Sequence, residues 1–447
     1  MIAQAGALVA FSSWAFGGML DWTRPWLLGL AVAGLPLAYL RYRETRTISL
    51  WPFVPALLWI VFVGLAVNNP THSHGENNSW TARTDWTPWL PATVDPAQTL
   101  AAARLWLALM LQGAALWGLV RTARGARFLW SAVALNGFAL AAVGAFFNFS
   151  GARQLLGFKD GPEPGYFFAT FFYKNHWAAF GALSAIAAFT VSLRALPGSL
   201  RGDPVARGRA LLFGCAGLLT AVTLPLPGSR AGALLAGLII VGYLGTAAVL
   251  LWRAQRGGRP ARRWPLLAGL ALGGAILAFG LNAYAPRAAA DLLRTRQQLA
   301  RTLDGESLDI RIPVSRDTWR MAQRRPWFGW GAGSFEIVFP AFQGSYLRNH
   351  DGRLQARFEH AHNDWLELLA ETGFVGASLF LVPVGIAGVI SWRRARLAGR
   401  WALAGCGLLA AYAWIDFPFH NPAVAILWMT LFATARRIDM PSDAVVR

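Results

Sequence analysis

The chain has 447 residues, of which 55% are hydrophobic and only 14% charged, whereas an ordinary soluble protein is about 25% charged. This composition, with a mean hydropathy of +0.39, excludes a soluble globular enzyme and an intrinsically disordered chain. The formal net charge of +19 is compatible with a nucleic-acid binder or a membrane protein, so its distribution along the chain decides between them.

Apolar segments long enough, or nearly long enough, to cross a bilayer recur along the whole chain. They predict an all-α polytopic integral membrane protein of about 12 transmembrane helices. The first segment has no basic region before it and no cleavage site after it, so we interpret it as a retained helix. The segments are 2–20, 24–40, 51–67, 100–120, 128–148, 174–193, 208–225, 230–252, 264–285, 364–391, 401–417 and 421–435.

Basic residues are concentrated on alternate connections between these segments. The even-numbered connections and the C-terminal tail carry 22 basic and 4 acidic residues, whereas the rest of the chain carries 19 basic and 18 acidic residues. This alternation is the positive-inside pattern, which predicts that both termini are cytoplasmic. A nucleic-acid binder is excluded, because these charges report topology and do not form a basic patch on a folded domain.

Two outer connections stand out. The connection 286–363 is the largest; its stretches 288–303 and 313–325, the latter ended by Pro326, predict a helical periplasmic loop between the ninth and tenth helices. The connection 68–98 is polar and contains Trp80, Trp86 and Trp89. This composition favours stacking on sugars, and the alternative is an interfacial tryptophan belt.

No phosphate-binding GxxxxGK[ST] motif occurs, and the glycine-rich residues 329–333 follow Pro326 instead of a strand. We therefore predict no nucleotide site, and chemistry on the outer face.

The strongest chemical motif lies where the large loop re-enters the membrane. His362 precedes a predicted helix that Asn363 would cap, and Asp364, Glu367 and Glu371 share one face of that helix. A histidine among carboxylates is suited to general base catalysis, although a polar helix start at the membrane interface would explain the same residues. His360, His362, His420 and Asp364 could gather around zinc, but no further cluster of ligands occurs, so we predict no metal.

Three basic residues on the outer side are candidate anion contacts. Arg230 begins the eighth segment after a Pro-Gly turn, and Arg316 lies in the large loop. Arginine binds phosphate through two parallel hydrogen bonds, and the alternative is that these side chains reach toward lipid headgroups. Lys174, one of only two lysines, lies beside Asn175 and His176 and is either an anion contact or an interfacial anchor.

Four stretches together resemble the superfamily of O-antigen ligases and O-antigen or exopolysaccharide polymerases, which are bacterial membrane glycosyltransferases. They are 172–178, in which Lys174 replaces the family's usual arginine, 228–232, 316–335 and 360–376. The resemblance divides the chain into N-terminal transmembrane helices (1–170), a ligase-like catalytic core (170–380) and C-terminal transmembrane helices (381–447).

The resemblance implies an undecaprenyl-diphosphate-linked glycan as donor and a glycan or lipid A-core as acceptor, at the periplasmic face of the bacterial inner membrane. It implies that Arg230, Arg316 and Lys174 hold the diphosphate; of these, Lys174 is the position that departs from the family's usual residue. It assigns His362, or its rival His360, to the acceptor hydroxyl, and Asn363, Asp364, Glu367 and His420 are interpreted as supporting residues. One base and direct displacement predict an inverting, metal-independent enzyme that needs no cofactor.

Polymerase activity is favoured over ligation onto lipid A-core, because a tryptophan-rich platform is more useful to a growing polymer. The alternative of another class is a polysaccharide transporter or flippase, which would show helices broken at the midplane or an inverted repeat; a non-catalytic assembly subunit is the third alternative. A flippase and a chain-length regulator are the partners that a polymerase would be expected to have.

Overall fold

The computed structural model describes residues 1–45, 51–74, 80–120, 122–151, 167–256, 310–344 and 357–440. The helices in these ranges are α1 (Ile2–Trp14), α2 (Thr23–Val32), α3 (Gly34–Thr45), α4 (Val54–Val67), α5 (Pro96–Leu119), α6 (Ala123–Phe149), α7 (Lys174–Leu200), α8 (Pro204–Thr223), α9 (Arg230–Arg256), α10 (Arg311–Arg324), α11 (Phe335–Val338), α12 (Asp364–Arg394), α13 (Leu397–Tyr412) and α14 (Pro422–Thr434).

Within the described ranges, α5 to α9 and α12 are long and apolar enough to cross a membrane, and α1 and α4 are shorter apolar helices. Eleven of the twelve predicted segments coincide with described helices, and the mostly helical architecture is confirmed. The segment 264–285 and the amphipathic stretch 288–303 lie outside the described residues, so the count of twelve and the full extent of the large loop stay predictions. The predicted helix over 313–325 corresponds to α10.

Two local differences from the predicted pattern have physical causes. The segment 24–40 is two helices, α2 and α3, that meet at Ala33; Gly34 and Pro36 follow, and proline cannot donate a backbone hydrogen bond to a continuous helix. Part of the connection 68–98 forms a short antiparallel hairpin, in which His72–His74 pairs with Trp80–Ala82. The period-2 signal of a three-residue strand is too short to detect in sequence.

The core of the bundle is formed around α7. It packs against α6, α8, α9, α13 and α14, and small residues and phenylalanines fill most of its surface, since nearly all of it from Asn175 to Leu193 is buried. The N-terminal end of α7 therefore lies among the helices that carry the predicted site.

Helix α12 is broken nine residues after it begins. Gly373 has φ 62° and ψ −175°, a conformation that is open essentially to glycine alone. In an unbroken helix, the amides of Phe374 and Val375 would bond to the carbonyls of Ala370 and Glu371. Here they donate to Pro326 O (2.7 Å) and Trp327 O (3.0 Å) instead.

The same loop segment also satisfies the two carbonyls that the break leaves open. Trp330 N donates to Ala370 O (3.1 Å) and Gly331 N donates to Glu371 O (2.8 Å). We call this four-bond exchange between residues 326–331 and 370–375 the backbone clasp. It pairs these four backbone groups, as an apolar environment requires.

Two glycines permit this close approach. A Cβ on Gly373 would lie 2.3 Å from the carbonyl carbon of Trp327, and a Cβ on Gly329 would lie 2.3 Å from that of Glu371. Within the glycine-rich residues 329–333, Gly329 thus serves a structural contact with α12.

Candidate active site

The N-terminal end of α12 places three of the predicted residues. Asn363 is the N-cap of the helix, and its Oδ1 accepts a hydrogen bond from Leu366 N at 3.1 Å. Asp364 and Glu367 occupy the first turn, where the helix dipole favours negative charge. Asn363 therefore supports the site by fixing where the helix begins.

Two carboxylates and two imidazoles interlock at this end. His360 Nδ1 lies 2.9 Å and His420 Nε2 lies 3.0 Å from the same Glu367 Oε1. The other nitrogen of His420, Nδ1, lies 2.6 Å from Asp364 Oδ1. We call His360, Asp364, Glu367 and His420 the closed cluster. The structure brings these four candidate residues together, and their catalytic or supporting roles stay predictions.

Backbone amides complete the hydrogen bonding of the closed cluster. Ala361 N donates to Glu367 Oε2 at 2.6 Å, and Phe419 N donates to Asp364 Oδ2 at 2.9 Å. Both carboxylates are almost fully buried. All four of their oxygens therefore have partners, as buried charged groups require.

His420 acts as the cation of this cluster. Burial lowers its pKa, but the nearby Glu367 and Asp364 carboxylates raise the pKa well above its usual value. Because both ring nitrogens face carboxylate oxygens, both are placed to donate, as in an imidazolium. A histidine held in this way offsets the negative charge of its neighbours and has no free lone pair with which to take a proton.

Three members of the closed cluster also have the chemistry of metal ligands. The ligand atoms of His360, Glu367 and His420 lie within 4.8 Å of one another, and two histidines with a carboxylate suit several transition metals. In the structure these atoms already satisfy one another by hydrogen bonds. We therefore interpret the cluster as a hydrogen-bonded network, and metal independence stays a prediction.

His362 lies apart from the closed cluster and faces another carboxylate. Its Nδ1 lies 3.9 Å from Asp416 Oδ1, too far for a hydrogen bond. The Phe417 ring lies beside both histidines, with centroids 4.9 Å from those of His360 and His362. We call His362 and Asp416 the open pair.

Asp416 was not predicted from the sequence, although it carried a signal. It lies at the end of the apolar segment 401–417, where an isolated carboxylate is costly and usually functional. Its side chain is 2% exposed, and it contacts residues from three other elements. Asn175 Nδ2 and Tyr412 OH each donate to its Oδ2 at 2.6 Å, and Arg311 NH2 lies 3.6 Å from the same oxygen.

The predicted diphosphate residues lie on three different helices, α7, α9 and α10. Arg230 begins α9, and the preceding Ser229 donates its hydroxyl to Asn175 Oδ1 at 2.7 Å. Arg316 is 57% exposed, with its Nε 3.8 Å from Asp317 Oδ1. Lys174 begins α7 and is half-buried. Arg311, which no motif singled out, is the arginine that the structure places against Asp416, and the diphosphate roles of Arg230, Arg316 and Lys174 stay predictions.

Apolar space adjoins the closed cluster. One cavity is lined by Asp364 and His420 on one side and by apolar residues of α5, α12 and α14 on the other. A second, almost wholly apolar groove runs between α4, α5, α12 and α14. The two share Phe380, Val384 and Met429 in their walls, so apolar surface extends from the carboxylates along the transmembrane helices.

Many of these residues lie in a segment that matches a known protein family. Residues 215–381 match the family model described as O-antigen ligase. The match contains Arg230, Arg316 and the stretch 360–376, and it confirms the resemblance to the O-antigen ligase and polymerase superfamily. A search of the curated proteins found no significant match.

The family match and the spanning helices together indicate the class of the protein. They support a multi-pass protein of the bacterial inner membrane with ligase- or polymerase-type activity in general, and a lipid-linked glycan as donor. Of the six residues of the closed cluster and the open pair, two lie outside the matched region: His420 and Asp416. The candidate site therefore also depends on the C-terminal part of the chain.

Proposed function

We propose that the protein transfers a polyprenyl-diphosphate-linked glycan to a glycan acceptor at the periplasmic face of the inner membrane, as a polymerase. The observation that carries this proposal is the convergence of three histidines and three buried carboxylates at one end of the bundle. This set lies at the end of the membrane-spanning α12, which the positive-inside pattern assigns to the outer side. Both termini are then cytoplasmic.

The proposed reaction is a direct displacement at the anomeric carbon. His362 accepts the proton of the acceptor hydroxyl, and its oxygen forms the new glycosidic bond as the bond from the anomeric carbon to the diphosphate oxygen breaks. The product has inverted configuration, and polyprenyl diphosphate leaves. Arg230 and Arg316, with Lys174, stabilise the charge that grows on the diphosphate, as fixed donors do in preorganised sites.

The apolar groove supports a donor with a hydrocarbon tail. It begins at the carboxylate-lined cavity and continues between α4 and α12. A polyprenyl chain lying there would keep its diphosphate beside the outer end of α12.

The break in α12 gives no support to the transporter alternative. Transporters use broken helices because the freed backbone groups bind ions or substrate. Here the four backbone groups of the break are paired with residues 326–331, so they are not available to a cargo.

The choice between polymerase and ligase rests on the connection 68–98. Trp89 is 76% exposed, which suits a sugar-stacking surface. Trp86 lies against the Arg325 guanidinium, 4.6 Å from its ring centroid, and burial of Arg325 lowers its pKa to about 10. Trp86 thus joins this connection to the large loop, and Trp89 is the tryptophan we propose for sugar contact.

Product analysis in a strain that lacks the gene tests the proposal. Complementation with the intact gene should restore a ladder of repeat units on the polyprenyl carrier or as free polysaccharide. A matched Trp89→Ala gene should shorten the ladder, whereas Trp252→Ala, an exposed tryptophan at the opposite end of α9 from Arg230, should not. Full-length lipid-linked polymer in the deletion strain, with only lipid A-core left unmodified, would show instead that the protein is a ligase.

A further inference from the structure

The backbone at His362 is unusual. His362 has φ 52°, and among the described residues only two other non-glycine residues, Phe16 and Ala169, have positive φ. A non-glycine residue is less stable in this left-handed backbone region than in the ordinary regions. It persists there only where the surrounding structure holds it. The consequence is that His360 and His362, two positions apart, meet different carboxylates.

The two oxygens of Asp416 are not equivalent. Its Oδ2 is engaged by Asn175, Tyr412 and Arg311. Its Oδ1 accepts from Phe417 N at 2.9 Å, and a carboxylate oxygen can accept a second hydrogen bond. The oxygen with this remaining capacity is the one that lies 3.9 Å from His362 Nδ1.

The nitrogen opposite this oxygen is likewise unsatisfied. His362 Nδ1 is buried and has no hydrogen-bond partner among the described residues. A buried donor without a partner is unfavourable, by about 1–3 kcal/mol. A shift of roughly 1 Å would bring Nδ1 and Oδ1 within hydrogen-bond distance.

We propose that Asp416 is the positioning residue for His362, accepting a hydrogen bond from Nδ1–H when the site closes on its substrates. The inference rests on the proposed function. With the Nδ1 proton fixed in this way, the lone pair lies on Nε2, which takes the proton of the acceptor hydroxyl. The resulting imidazolium is stabilised by the Asp416 carboxylate and later releases the proton to water.

The surroundings of Asp416 fit a positioning role. Three elements hold its Oδ2 in place: Asn175 on α7, Tyr412 on α13 and Arg311 on α10. Asn175 is fixed in turn by Ser229, whose hydroxyl also accepts from Gly232 N at 2.9 Å and caps the start of α9. The carboxylate that faces the base is therefore anchored to the helix that begins with Arg230.

The test compares Asp416→Asn with Tyr412→Phe in purified protein, using a lipid-linked glycan donor. Both changes remove a hydrogen bond at Asp416, but only the first removes the negative charge facing His362. Asp416→Asn should lower kcat about 10²–10⁴-fold, the range seen when the orienting acid of a histidine base is lost, with KM for the donor changed less than threefold. Tyr412→Phe keeps the charge and the two other contacts of Oδ2, so it should lower kcat at least tenfold less than Asp416→Asn does.

The unfolding temperature of each variant is measured in the same samples. Equal losses of kcat in both variants, a loss that follows the unfolding temperature, or a rise of KM alone would show that Asp416 is merely structural. If Asp416→Asn does not accumulate as folded protein, Asp416→Glu replaces it: it keeps the charge but moves the oxygens by one methylene, and the same fall in kcat is expected.

His362→Ala separates this inference from the proposed function. If His362→Ala is inactive and Asp416→Asn keeps its kcat, the positioning role is wrong and the proposed base stands. If His362→Ala keeps full transfer activity, the proposed base is wrong and the role of Asp416 is overturned with it.

Discussion

The closed cluster and the open pair lie side by side but differ in how completely their polar atoms are satisfied. In the closed cluster, His360 and His420 both lie within about 3 Å of Glu367, and His420 bridges to Asp364. In the open pair, the nearest approach of His362 to Asp416 is 3.9 Å. A satisfied network rigidifies a protein, whereas an unsatisfied group costs stability and can be used by a substrate. The comparison suggests that the closed cluster has a structural role and that the open pair has a chemical one.

The largest expected effect is on the histidine of the open pair. His362→Ala should lower glycan transfer by about 10²–10⁴-fold, the usual contribution of a general base. Because Nδ1 of His362 makes no hydrogen bond within the described residues, the unfolding temperature should change little. The matched control is His74→Ala, an exposed histidine of the outer hairpin, which should keep its activity. Full transfer by His362→Ala would move the role of base to His360.

A substitution in the closed cluster should have the opposite effect to His362→Ala: it should lower the stability of the protein first. Glu367→Gln removes the charge that holds His360 and His420, and breaking a buried ion pair typically costs about 3–5 kcal/mol. We expect a clear fall in unfolding temperature, which is measured by tryptophan fluorescence of the protein in nanodiscs. An unchanged unfolding temperature with lost activity would assign Glu367 to the chemistry instead.

The backbone clasp should matter to the closed cluster more than to the rest of α12. Gly373→Ala places a Cβ against Trp327 and also disfavours the positive φ, so we expect a loss of about 1–3 kcal/mol for the strained backbone. Gly385→Ala is the matched control, because nothing lies within 4 Å of its Cβ position in the same helix. Equal unfolding temperatures for the two variants would contradict the clasp.

A pH series separates the two regions through His420. Its folded-state pKa is raised by Glu367 and Asp364, against the effect of burial, so its stabilising contribution is complete below the unfolded pKa of about 6.5 and is lost as the pH rises through the folded pKa. The wild-type unfolding temperature should therefore fall on the alkaline side. His420→Gln should lack this part of the pH dependence, and an identical alkaline fall in both proteins would assign it to other groups.

The smallest expected effect is that of chelation. If the closed cluster is held by hydrogen bonds, prolonged treatment with EDTA should leave both transfer and unfolding temperature unchanged. A loss of activity that is restored by a divalent metal would identify His360, Glu367 and His420 as its ligands.

Local patterns in the sequence predicted most of the helices and the composition of the closed cluster. Hydropathy identified the apolar segments, and the positions of Asp364 and Glu367 after an N-cap placed both carboxylates on one helix turn. His360 and His420 are far apart in sequence, yet both occur in short polar stretches at helix ends, where such groups converge.

Contacts between distant backbone segments and single polar residues could not be predicted in the same way. The break at Gly373 depends on residues 326–331, which lie more than forty positions earlier, and no periodicity in α12 reports it. The choice of Asp416 as partner of His362 depends on how α13 packs against α7 and α10. The positive φ of His362 depends on the same tertiary packing, since its residue type alone gives no reason for it.

The backbone clasp also has a consequence for how the protein is made. Residues 326–331 emerge from the ribosome before α12, so we expect the segment that contains them to be available when the broken helix inserts. Until the two meet, the amides of Phe374 and Val375 and the carbonyls of Ala370 and Glu371 have no partner in hydrocarbon, where each costs several kcal/mol. We therefore expect biogenesis to be ordered, with residues 326–331 pairing the backbone groups of the break as α12 inserts.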